Sequence, residues 1–129
     1  MSTAKNIERF LMALDVLAPA DAVGFRVFRE RGVSVSVAVF SVTSEGFVSV
    51  NSLVSLPSET RDGKRVALAG VNFLADLFDV TLIANDSVLI RDISGNNEDT
   101  SWLAGSGFLR TAGESHYLRL PQSIHRIAA

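Results

Sequence analysis

Apolar residues near the start of the chain recur every three or four positions: Ile7, Phe10, Leu11, Leu14 and Leu17. That spacing puts them on one face of an α-helix, so residues 5–17 read as an amphipathic helix packed on a core. Pro19 ends it. The period then shortens. Residues 25–30 read as a strand and Arg31-Gly32 as a turn. Val33, Val35, Val37 and Val39 alternate with Ser34, Ser36 and Ala38, the two-residue repeat of a strand. Ser44-Glu45-Gly46 makes the next turn, and residues 47–56 make a third strand.

That third strand carries a phase fault. Val48 and Val50 share a face, but the next large apolar residue is Leu53, three positions on. A one-residue bulge near Asn51-Ser52 repairs the register. The plainer alternative is a serine, Ser52, tolerated on a half-exposed face. Pro57 ends the strand, and a polar loop runs over residues 58–65.

Ala67, Val71, Leu74, Ala75 and Phe78 then form a second helical stripe, and residues 63–78 read as one helix. Residues 80–84 read as a short buried strand, with a second apolar run at 87–93. A loop over 95–100 leads to a short helix over 100–106, with Gly107 in its C-terminal left-handed position. Residues 108–111 and 116–120 make a closing hairpin around Ala112-Gly113. Meandering strands followed by a β-α-β crossover predict an α+β domain. Its sheet is mixed but mostly antiparallel, with helices on its faces.

Composition narrows the function classes. The chain has 129 residues, 47% hydrophobic and 20% charged, enough for one domain with a sizeable core. The net charge of −2 lacks the basic excess of a nucleic-acid binder. With no cysteine, disulfides and thiolate metal sites are out, and the two histidines, His116 and His125, show no metal-ligand spacing. No segment has the length of a membrane span, and the start does not read as a signal peptide, so the expected compartment is the cytoplasm.

The stretch with chemical content is residues 53–78. A strand ends at Pro57, and a loop with Arg61, Asp62, Gly63, Lys64 and Arg65 opens into a helix. The first N–H groups of a helix lack internal partners, and the dipole adds positive potential there. Gly63 permits close backbone approach, and three basic side chains add charge, an arrangement suited to a phosphate or pyrophosphate. An ordinary polar loop with solvated charges has the same composition.

Residues 47–121 resemble the GNAT acyltransferase superfamily, especially its short phage versions. There a strand ending V-x-P leads to a Q/R-x-x-G-x-G/A loop, a helix, a strand, a short helix ending in GF, and a final hairpin. Matching these are Val54-Ser55-Leu56-Pro57, then Thr60-Arg61-Asp62-Gly63-Lys64-Arg65, then Trp102-Leu103-Ala104-Gly105-Ser106-Gly107-Phe108, and Leu118-Arg119-Leu120-Pro121. The sequence departs at three places. Thr60 replaces Gln or Arg, Arg65 replaces Gly or Ala, and Leu103 stands where the family has a tyrosine that protonates the departing thiolate. The family's usual first strand is not evident.

The resemblance implies a GNAT-like fold with acetyl-coenzyme A as cofactor and no metal. Val54, Ser55 and Leu56, with Leu53 before them, would line the pantetheine arm. Arg61, Gly63, Lys64, Arg65 and Val66 would hold the pyrophosphate. For the proton transfers of acyl transfer, Glu45 or Asp86 is the candidate base and Tyr117, the only tyrosine, the candidate acid. His116 and His125 rank behind them. Two readings follow. One is an N-acyltransferase moving an acetyl group to an unknown amine. The other is a catalytically degenerate GNAT-like binding or interaction module, phage-encoded, with a protein partner. A homodimer is compatible with either.

Overall fold

Ala4–Leu17 forms helix α1 and buries Ile7, Phe10 and Leu14. The computed structural model describes residues 4–57, 62–85, 103, 105–110 and 116–122. After α1 come strands β1 (Arg26–Glu30), β2 (Val33–Val42) and β3 (Val48–Ser55), helix α2 (Gly63–Leu77), and strands β4 (Leu82–Asn85), β5 (Leu109–Arg110) and β6 (His116–Arg119). The six strands form one sheet in the order β1-β2-β3-β4-β6-β5. Every neighbouring pair is antiparallel except β3 with β4, which are parallel and joined through α2. The α+β architecture and the closing antiparallel hairpin thus match the sequence pattern. The expected strand over 87–93, the loop over 95–100 and the Ala112-Gly113 turn lie outside the described residues.

The core lies between the sheet and the two helices. Phe10 and Leu14 of α1, Leu68 and Val71 of α2, and Ala38, Val50, Leu53 and Leu82 of the sheet belong to one buried cluster. Gly70 lets the helices meet, since a Cβ there would lie 3.0 Å from Leu17 Cδ2. Arg26 ties β1 to α1, donating to Asp15 Oδ1 at 2.7 Å and to the Ala18 carbonyl at 2.8 Å.

Of the valine repeat of β2 only Val35, at 2% exposure, is buried. Ser36 and Ala38 are fully buried and Phe40 packs on the core, while Val37 and Val39 are half-buried on the opposite side and Val33 is exposed. Buried Ser36 is satisfied by donating its hydroxyl to the Val54 carbonyl at 2.8 Å.

Two bulges set the register. One leaves Val35 without a partner on β1, between the pairs Phe28–Ser36 and Arg29–Ser34. The other leaves Asn51 as the extra residue of β3, between Val39–Ser52 and Phe40–Val50. The second is the bulge that the phase fault predicts, and it turns both Val50 and Leu53 inward.

Both ends of α2 are built from local sequence. Asp62 caps the start, its side chain accepting from the Lys64 N–H. At the end Val80 N–H bonds the Ala75 carbonyl at 2.8 Å, with Asp79 in the left-handed region at φ 59. The same six-to-one bond joins Phe108 N–H to the Leu103 carbonyl at 3.1 Å, with Gly107 left-handed at φ 91 as expected. Arg119 of β6 locks these parts together. It bonds both oxygens of Asp76 at 2.7 and 3.0 Å and the Ser106 carbonyl at 2.7 Å. Asp76 also accepts from the Gln122 N–H at 2.7 Å.

Candidate functional site

The parallel pair β3–β4 is short. Among the described residues it runs Val48–Leu82, Ser49–Ile83 and Val50–Ala84, and the described part of β4 ends at Asn85. Backbone N–H and C=O groups alternate between the two edges of a strand. Leu56 donates its N–H to the Val35 carbonyl at 2.9 Å, so Leu56 and Val54 address β2. Leu53 and Ser55 therefore present their backbone groups toward the β4 side.

The N-terminus of α2 stands against the same end of β3. Ser55 Oγ donates to Asp62 Oδ1 at 3.0 Å and accepts from the Lys64 N–H at 2.9 Å. Asp62 Oδ1 also accepts from that N–H at 3.2 Å, and the Val66 N–H reaches the Asp62 carbonyl at 3.2 Å. Two of the N–H groups expected to cradle a pyrophosphate are thus bonded within the protein, one of them to a carboxylate.

The loop glycine has a different use from the expected one. A Cβ on Gly63 would lie 1.7 Å from the Val35 carbonyl oxygen and 3.3 Å from the Ser55 Cα. The close approach that Gly63 permits is between helix and sheet. Lys64 is also not a surface cation: it is 1% exposed, among the most buried side chains of the protein. Arg65 is exposed on the first turn of α2, and Val66 is half-buried. Arg61 and Thr60 lie outside the described residues.

The candidate proton-transfer groups are scattered. Glu45 sits in the exposed turn before β3, at the opposite end of that strand from α2. The Ser44 hydroxyl at 3.0 Å, aided by its own backbone N–H, holds its carboxyl below the usual range. Tyr117 is half-buried on β6, packed on the core, with the Arg110 guanidinium 5.8 Å from its ring centre. It pairs with Ala84, whose other neighbour is Val50, so it lies level with the last β3–β4 pair on the helix side. Leu103 is buried in the core. Asp86, Trp102 and His125 lie outside the described residues.

Sequence reasoning missed the part played by Asp62. The signal was present, since an aspartate immediately before an apolar helical stripe is a standard cap. Among the described residues no cluster of three histidines, aspartates or glutamates can hold a metal ion, and no helix is long and apolar enough to cross a membrane. No protein-family model, curated protein or solved structure matches the chain.

Proposed function

We propose that this chain is a GNAT-like N-acyltransferase that moves an acetyl group from acetyl-coenzyme A to an amine, working in the cytoplasm. The observation that carries the reading is the parallel β3–β4 pair joined through α2, with Leu53 and Ser55 turning their backbone groups away from β2 toward the β4 side. The GNAT resemblance implies a splayed strand whose open edge holds pantetheine and offers an N–H to the thioester carbonyl. Here that edge belongs to Leu53 and Ser55. A fixed backbone donor at the carbonyl stabilises the oxyanion as the amine attacks, commonly the largest electrostatic contribution to acyl transfer. The meander β1–β3, the crossover through α2 to a parallel β4, and the closing hairpin support the same reading.

The phosphate end is modified. Asp62 places its own negative charge where the resemblance puts pyrophosphate, so pantetheine supplies most of the affinity. Calorimetric titration with coenzyme A and with pantetheine tests this. The expected result is measurable heat with both, with dissociation constants within about tenfold (about 1.4 kcal/mol) of each other. Asp62→Asn keeps the cap and removes the charge, so it should tighten coenzyme A by roughly three- to tenfold, most at low salt.

A second reading is favoured by one observation, the Asp62 carboxylate bonded to the Lys64 N–H. A domain whose anion site is filled by its own side chain suits a degenerate binding or interaction module. No heat with coenzyme A at millimolar concentration, in wild type and in Asp62→Asn alike, would select that reading and end the first.

A further inference from the structure

A helix packed on a sheet is normally polar on its outward side, because that side faces water. The two helices break that rule together. The exposed side chains of α1 include Met12, Val16 and Leu17, and those of α2 include Phe73 and Leu77. Val16 is 87% exposed and Phe73 61%, so neither is a core residue showing only its edge. Met12 and Val16 stand four apart on α1, and Phe73 and Leu77 stand four apart on α2, so each pair forms one ridge.

The two ridges belong to one surface. Leu17 lies where the helices meet, since a Cβ on Gly70 would fall 3.0 Å from its Cδ2. Gly70, Phe73 and Leu77 follow at spacings of three and four, on one face of α2. Leu17 therefore links Val16 on one helix to Phe73 and Leu77 on the other. The five side chains together expose roughly 500 Å² of apolar surface, the size at which a patch on a soluble protein is often an interaction site.

We propose that this outer face of the α1–α2 layer is where two copies of the chain pair about a twofold axis. The pairing stands independently of the acyltransferase reading. Two observations select a second copy as the occupant. A stable dimer takes about 800 Å² from each partner, and the five apolar side chains supply more than half of that before their polar neighbours are counted. A twofold contact also sets one patch against itself, so its charges must tolerate their own kind. The exposed charges around the helices carry both signs, Lys5, Arg9 and Arg65 against Glu8, Asp15 and Asp79. The net charge of −2 leaves little repulsion between copies. A membrane surface would call for a basic excess, which these helices lack. Phe73 is the anchor of the contact, since aromatic side chains are enriched where interfaces are most fully buried.

Sedimentation velocity of the intact chain, from low to high micromolar concentration, tests the pairing. The wild type should sediment at twice the chain mass and dissociate on dilution. Phe73→Glu and Val16→Glu each place a charge in the contact. Glutamate is a better helix former than phenylalanine or valine, so both variants should keep their circular dichroism and urea midpoint. Each should raise the dissociation constant by about tenfold or more, the scale of a lost interface anchor. Val23→Glu and Leu109→Glu alter exposed apolar residues outside the helices and should leave the dimer intact. A wild type that stays monomeric at high micromolar concentration overturns the proposal, whether or not it then binds anionic lipid vesicles. A dimer that survives both Phe73→Glu and Val16→Glu, or that is lost equally in Val23→Glu or Leu109→Glu, overturns it by placing the contact elsewhere.

Discussion

Gly63 is the residue whose replacement has the least room for relief. A Cβ would fall 1.7 Å from a backbone oxygen of β2, which no side-chain rotation can ease. Gly63→Ala should therefore cost about 3 kcal/mol, the upper end of overpacking penalties, read from the urea midpoint at unchanged slope. Arg31 gives the opposite sign. It and Gly32 form the β1–β2 turn with φ of 54 and 80, a two-residue loop with both positions left-handed. Arginine is strained there and asparagine is not. Arg31→Asn should stabilise by roughly 0.5–1 kcal/mol, measured the same way. Lys64 behaves unlike a loop cation. At 1% exposure, Lys64→Glu reverses a charge in a buried place, so its first effect is on stability and only secondarily on anion binding.

Among the elements, α2 organises the molecule because both of its ends are fixed to the sheet. Its start is held by Ser55 and Asp62 against β3, and its end by Arg119 of β6 through Asp76. The Arg119–Asp76 pair is bidentate, with side chains 5% and 13% exposed. Removing one partner leaves the other charge buried. Asp76→Ala should cost about 3–5 kcal/mol, and adding Arg119→Met should recover part of that loss. Equal melting temperatures for the single and double variants would show that the cost is not the stranded charge. The helix stripe, the hairpin and the Asn51 bulge were legible in the sequence because each is a local matter of period or phase. The inward face of β2 was not. Its two-residue repeat shows two faces, but which of them turns inward depends on packing between distant segments, and Ser36 and Ala38 are the ones buried. The role of Gly63 was hidden for the same reason, since a glycine before a helix looks alike whether it meets a ligand or a strand.

At the scale of the whole molecule, one parallel strand pair, joined through α2, is set within an otherwise antiparallel sheet. The bulge and the α2 N-terminus both lie along β3 beside it. Of the residues the resemblance puts along pantetheine, Leu53 and Ser55 turn their backbone groups to the β4 side, whereas Val54 and Leu56 address β2, and Glu45 lies at the far end of the strand. The central claim is that the open edge of Leu53 and Ser55 receives the pantetheine arm. Its most direct test is a two-dimensional amide NMR titration of the labelled protein with coenzyme A. The account predicts that the Leu53 and Ser55 N–H signals shift most, together with those of Lys64 and Arg65 to a smaller extent. Saturating coenzyme A that leaves Leu53 and Ser55 unmoved, or that shifts only residues on the α1 side of the molecule, would contradict it.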